Sequence, residues 1–177
     1  MQLSDAAGIR VAAIPDDGRF PNNRLPLLVY PRALNADSPT PEEVFQANAW
    51  GGTWRNGVYP YHHYHSTAHE VLAIVGGSAT ILFGGEGGIR VEAQAGDCVV
   101  IPAGVAHKLI ARNTGFLVVG GYPAGQSYDV CLGKPGERPE ADRRIERVPL
   151  PAADPIQGRG GALEKLWKSA TQVPRRP

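Results

Sequence analysis

Residues 57–77 read GVYPYHHYHSTAHEVLAIVGG. Four of the chain's five histidines, His62, His63, His65 and His69, fall in this stretch, and the fifth is His107. Which of them point the same way depends on the local period. On a helix, His62, His65 and His69 would share a face, although the HExxH order of a helical zinc site is absent. On a strand, side chains alternate, so His63 and His65 share one face while His62 and Tyr64 take the other. The strand is favoured. Gly57 and Pro60 lie upstream, Tyr59, Tyr61 and Tyr64 suit strands, and VLAIVGG is too short for a helix and closes on two glycines. HSTAH then reads as a tight turn or bulge between two strands. Glu70 follows it with the parity of Leu72 and Ile74, which read as core.

Residues i and i+2 on a strand are roughly 6–7 Å apart. Two imidazoles leaning inward can therefore meet one ion at about 2.0–2.1 Å. Glu70 from the next strand can add an oxygen, and His107 can close the set if its strand faces the same lumen. Three nitrogens and one oxygen suit one divalent transition metal ion, Fe, Mn, Ni, Co or Zn. On an octahedral ion that leaves two positions for water, substrate or dioxygen.

Further out, the chain punctuates short apolar runs with 22 glycines and 16 prolines. That pattern argues for an all-β body. From about Trp50, eight short runs follow at spacings near ten residues, and IRVEAQ (89–94) alternates as a half-exposed strand should. Before them, LPLLVY (25–30) reads as a short strand kept to an edge or an arm by its prolines. Thr40, Pro41 and Glu43 form a capping-box start for a short helix over 41–48. After Tyr122 the composition turns to loop, and RPEADRRIER (138–147) reads as a solvated segment. GALEKLWKSA (161–170) closes as a helix with Leu163, Leu166, Trp167 and Ala170 on one face. The whole, 1–177, reads as one domain. Its barrel core spans about 44–125, with an N-terminal arm over 1–43 and a C-terminal tail and helix over 126–177.

The second informative stretch is AGDCVVIPAGVAH (95–107), a turn, a strand and a turn. Gly96 and Asp97 can turn the chain, Pro102 ends the strand, and Gly104 permits the positive φ of a tight turn. In HKLIAR (107–112), His107 shares parity with Leu109 and Ala111, so it faces small and apolar residues.

Together these stretches resemble the cupin superfamily. Its first motif, G(X)5HXH(X)3,4E(X)6G, is met by Gly57, His63, His65, Glu70 and Gly77. Its second, G(X)5PXG(X)2H(X)3N, is met by Gly96, Pro102, Gly104 and His107, but position 111 is alanine and the nearest asparagine is Asn113. FPNNRLPLLVYPRAL, YHHYHSTAHEVL and GGYPAGQSYDV are further similar to the YjlB-like bacterial group. The resemblance implies a double-stranded β-helix, a jelly-roll barrel with short flanking helices. It also implies that His63, His65, Glu70 and His107 are the metal ligands.

Other residues read more plainly. His62 has the wrong parity for the ion, and His69 points away, where it could at most orient a ligand or relay a proton. Trp54, Tyr61 and Tyr122 are candidates for lining a pocket, and Glu70 is the one carboxylate with a candidate second role as a base. Cys98 and Cys131 read as reduced thiols.

A formal net charge of +1 gives no footprint for nucleic acid. The amino-terminal residues lack the pattern of a signal peptide, and no run reaches the roughly 20 apolar residues of a membrane span. The expectation is a cytoplasmic homodimer acting on a small molecule. Metal-dependent oxygenase chemistry is favoured, with isomerisation next. A ligand sensor without catalysis is the alternative.

Overall fold

The computed structural model describes residues 2–6 and 8–172. The elements are β1 (Ser4–Ala6), β2 (Ile9–Ile14), β3 (Asn23–Tyr30), α1 (Pro41–Ala47), β4 (Trp50–Asn56), β5 (Glu70–Gly76) and β6 (Ser78–Phe83). They continue with β7 (Ile89–Gln94), β8 (Cys98–Ile101), β9 (His107–Arg112), β10 (Leu117–Pro123), α2 (Glu140–Arg147) and α3 (Ala162–Gln172). Seven strands form one antiparallel sheet in the order β1-β2-β3-β8-β5-β10-β4, and β7-β6-β9 form the other. The two sheets face each other as a jelly-roll barrel.

The burial patterns explain the layers. β7 alternates, with Ile89, Val91 and Ala93 buried and Arg90, Glu92 and Gln94 exposed. One of its faces meets the core and the other meets water. In β5 every residue from Glu70 to Ile74 is buried. Leu72 and Ile74 join Phe83, Val91 and Val118 between the sheets. Val71 and Ala73 turn the opposite way, into a second core with Phe45 of α1 and Leu163 and Trp167 of α3. The large sheet is thus covered on both sides, and β5 reads as a continuous apolar run for that reason.

Both expected helices form. Thr40 and Glu43 make the reciprocal capping box of α1, with Pro41 in its first turn. α3 lays Leu163, Leu166, Trp167 and Ala170 on the outer core.

Three expectations fail locally. LPLLVY is no edge or arm, because β3 lies between β2 and β8. Pro26 is tolerated there because it falls in a register gap. Ala12 pairs with Leu27 and Ile14 with Asn23, while β8 pairs only with residues 28–30. No ladder bond therefore needs the missing N–H. Residues 59–66 make only isolated bridges, His63 to His107 and Tyr64 to Cys131, rather than a continuous strand. RPEADRRIER is not merely solvated. It contains α2, whose Ala141 and Ile145 pack on Phe20, Tyr64 and Cys131. Its start is tied down by Arg138, which bonds both Asp16 and Asp142. Two apolar residues one turn apart are too little periodicity to announce a helix.

Cys98 and Cys131 are buried free thiols. Among the described residues no helix is long and apolar enough to cross a membrane.

Candidate metal centre

The histidines are placed by backbone pairing. His63 N–H donates to the His107 carbonyl at 3.1 Å, and His107 N–H returns to His63 at 2.9 Å. This bridge brings the ring centroids to 4.0 Å. His65, two residues on, keeps the parity of His63 and joins the same side. Candidate ligand atoms of His63, His65 and His107 all lie within 4.8 Å of one another, and all three residues are buried.

The other nitrogen of each ring decides what faces the centre. His63 Nδ1 bonds the Tyr61 carbonyl at 3.2 Å and His107 Nδ1 the Val105 carbonyl at 3.2 Å, while His65 Nδ1 bonds the Asp129 carbonyl. A carbonyl oxygen only accepts, so each Nδ1 carries a proton. In the neutral ring, each Nε2 then presents a lone pair. Glu70 opens β5 and adds a fourth acceptor. Its Oε2 lies 3.3 Å from His107 Nε2 and 3.4 Å from His65 Nε2, and it has no aligned hydrogen-bond partner. Four buried acceptors converge with no donor among them. Such a quartet is costly unless a positive charge occupies it. The donor set therefore fits a divalent transition metal ion.

Glu70 is aimed by a two-step chain. Trp54 Nε1–H donates to Tyr122 Oη at 2.9 Å, and Tyr122 O–H donates to Glu70 Oε1 at 3.1 Å. Oε1 is thereby occupied and Oε2 is left toward the histidines. Trp54 itself lies over Gly120, where an added Cβ would fall 2.1 Å from the indole. Groups that orient a ligand typically change metal affinity about 10–100-fold. Tyr122→Phe is accordingly expected to weaken metal binding by roughly tenfold. Competition against a chromophoric chelator would measure it, and an unchanged affinity would remove Tyr122 from the site.

The candidate ligands titrate in opposite directions. Burial, and then the neighbouring His107, push His63 down to about 3. For His65, burial also opposes the charged form. The neighbouring Glu70 charge and the bond to the Asp129 carbonyl outweigh it and hold the ring above its ordinary value. Glu70 is held well below the usual carboxylate range. Burial works against this, and the neighbouring His65 and His107 rings overcome it. A proton on His65 thus partly fills the need for positive charge. An ion must displace that proton. Metal affinity is therefore expected to fall about tenfold per pH unit once pH drops below the raised His65 titration. His63 adds nothing until near pH 3. Affinities measured from pH 8 to pH 5 would show the slope, and a flat profile would contradict it.

The remaining candidates separate. His69 turns to the far side of β5. Its Nδ1 accepts from Ala103 N–H at 2.9 Å, its ring lies 4.7 Å from Trp167, and burial pushes it to about 3. It touches none of the four acceptors, so it orients no ligand. His62 lies against Phe20, with Nε2 3.1 Å from Glu86. Tyr61 is exposed and stacks on Tyr59. It serves the site through its carbonyl, and it is Tyr59 that lines the cavity. Trp54 and Tyr122 do line it. That cavity, about 900 Å³, opens above the histidines and Glu70.

The sequence reading missed two contributions from the tail. Asp129 supplies the carbonyl for His65, and its carboxylate bonds Ser66 N–H at 2.6 Å. Tyr128 stacks on Tyr122 at 4.6 Å and packs against His65. The one signal for them was that QSYDVC follows the last barrel strand directly.

Comparison against known proteins agrees with the fold. A family model described as Cupin domain matches residues 54–119, and the chain belongs to the cupins. Along most of its length it is similar to the uncharacterized protein YjlB of Bacillus subtilis (strain 168). The two are 47% identical over 154 residues, 86% of this chain and 93% of that one. Among solved structures, a DUF861-family protein from Thermotoga maritima is 24% identical. The match covers 50% of this chain and 94% of that one at a TM-score of 0.32. Procruciferin, an 11S globulin from Brassica napus, is 15% identical over 62% of this chain at a TM-score of 0.37. The chain spans only 23% of its length.

Proposed function

We propose that the protein is a metal-dependent enzyme acting on a small molecule, with oxygenase-type chemistry favoured. His63, His65, Glu70 and His107 would hold one divalent transition metal ion. The observation that carries this reading is the convergence of three buried imidazoles beside Glu70 Oε2, a buried oxygen with no hydrogen-bond partner. Such an ion supplies Lewis acidity and, for a redox-active metal, a binding position for dioxygen.

The residues of the chain do the rest. The Tyr61, Val105 and Asp129 carbonyls keep each imidazole in one tautomer and one orientation. Tyr122 and Trp54 hold Glu70 by Oε1, which favours its role as a ligand over that of a mobile base. Leu72, Val58 and Phe116 in the wall exclude water and lower the local dielectric.

The test begins with protein purified without chelator and its metal content. Fe(II), Mn(II), Ni(II), Co(II) or Zn(II) is then supplied, and oxygen uptake is followed over a panel of diketones, phenols and organic acids. Turnover lost in His63→Ala is the expected result. Refusal of every ion would overturn the reading. Tight ligand binding without turnover under any metal would make the protein a sensor instead.

A further inference from the structure

β9 carries a bulge that changes which of its residues look inward. Strict alternation from His107 would place Leu109 and Ala111 on the cavity side. The observed register pairs Leu109 with Ile81 and Ala111 with Thr80, leaving Ile110 unpaired on β6. Ile81 belongs to the core between the sheets, whereas Thr80 faces out and bonds Glu92. The next pair joins Arg112 to Ala79, which is again in the core. One extra residue therefore turns Ala111 outward and Arg112 inward, toward the cavity mouth. Arg112 lines the cavity although it is exposed at the rim.

Besides the histidines, the charged groups of the lining are Arg55, Glu70 and Arg112. Arg55 is held by Glu42 through two bonds of 2.7 and 3.0 Å, and Glu70 lies on the floor. No carboxylate among the described residues pairs with Arg112. Between floor and rim the lining is apolar and aromatic, with Trp54, Val58, Leu109, Phe116, Tyr122 and Tyr128. Tyr122 and Tyr128 stack with their planes 17° apart, which offers a flat surface. At about 3.3 Å per residue, less one residue spent in the bulge, the Cα atoms of His107 and Arg112 are roughly 13–16 Å apart. Two inward-leaning side chains shorten that gap to about the length of two fused rings.

We propose that the cavity takes a small organic acid with a flat apolar body. Its carboxylate sits on Arg112 at the rim, and an oxygen substituent points to the three-histidine floor. The floor end of this assignment rests on the metal reading; the rim end does not.

Calorimetric titration tests both ends. The probes are 6-hydroxy-2-naphthoate and its neutral amide. Each is titrated into zinc-loaded and metal-free wild type, Arg112→Gln and Arg112→Glu. The wild type is expected to prefer the acid by about tenfold, the scale of a charge-assisted bond at a partly exposed site. Arg112→Gln should lose that preference with the amide affinity unchanged, and Arg112→Glu should reverse it. Equal affinity for acid and amide in the wild type, a preference that survives Arg112→Gln, or no binding of the acid overturns the proposal. A preference for the acid in a protein that takes up no metal sustains the anion site and defeats the metal chemistry. Metal uptake with no preference for the acid does the converse.

Discussion

Replacing His107 by alanine is expected to abolish metal uptake, from about one ion per chain to near zero. His107 contributes more than one nitrogen. Its backbone pairs with His63 in both directions, and its Nε2 lies 3.3 Å from Glu70 Oε2. The backbone bridge survives the substitution, so His63 keeps its place and the loss is of a ligand rather than of the fold. Metal-free stability is expected to hold or rise slightly, because one buried acceptor leaves a set that lacks a donor. A linked measurement separates the cases. Wild-type protein with metal at 100 times its Kd gains about 2.7 kcal/mol of stability, seen as a rise in Tm. His107→Ala should show no metal-dependent rise. A variant that still gained stability from the ion would place the binding site elsewhere.

The histidine cluster, the tail and the cavity form one system. His65 is oriented by Asp129, which lies beyond the last barrel strand. The Asp129 carboxylate in turn holds Ser66 N–H and O–H, and Arg144 of α2 donates to Ser66 Oγ at 2.7 Å. α2 thus braces, at one remove, the loop that carries His65. A polar helix with two apolar residues thus fixes the His65 loop besides adding a small core cluster.

Much of the centre was legible in the sequence because alternation is a strong local rule. Parity alone separated His63 and His65 from His62, and it gave Glu70 the direction of Leu72 and Ile74. It held for His63 and His65 even though residues 59–66 pair only through isolated bridges, because the bridges at His63 and Tyr64 fix the local alternation. The same rule failed at Ile110. A bulge there costs one residue of register and leaves no mark in composition, so Ala111 was placed inside and Arg112 outside. The motif position for asparagine, 111, is alanine here. Asn113 accepts from Ser78 N–H at 2.8 Å and closes the turn from two residues further along. Tyr128 and Asp129 were illegible because they reach the site from irregular chain, where no period marks a direction. Pro26 misled because its rule concerns ladder bonds, and a register gap removes the need for one.

The largest effect on stability is expected at a residue far from the histidine cluster. Trp167 is fully buried on α3. Its Nε1–H donates to the Pro26 carbonyl at 2.9 Å, and its ring lies against His69. It belongs to the outer core with Leu28, Val71, Val100 and Phe45. Trp167→Ala removes a large aromatic volume that a sheet and a helix cannot both close, at a cost of about 3–5 kcal/mol. It also strands the Pro26 carbonyl, which no ladder bond compensates. Trp167→Phe keeps most of the packing and loses only the indole bond, so about 1–3 kcal/mol is expected. Urea unfolding of metal-free protein would measure both, with the midpoint falling and the m-value unchanged. Metal affinity should be unaffected in the folded variants, because β5 presents Glu70 to the other side of the sheet. If Trp167→Ala costs no more than Trp167→Phe, the lost indole bond rather than the packing dominates, and α3 is held mainly by its bond to β3.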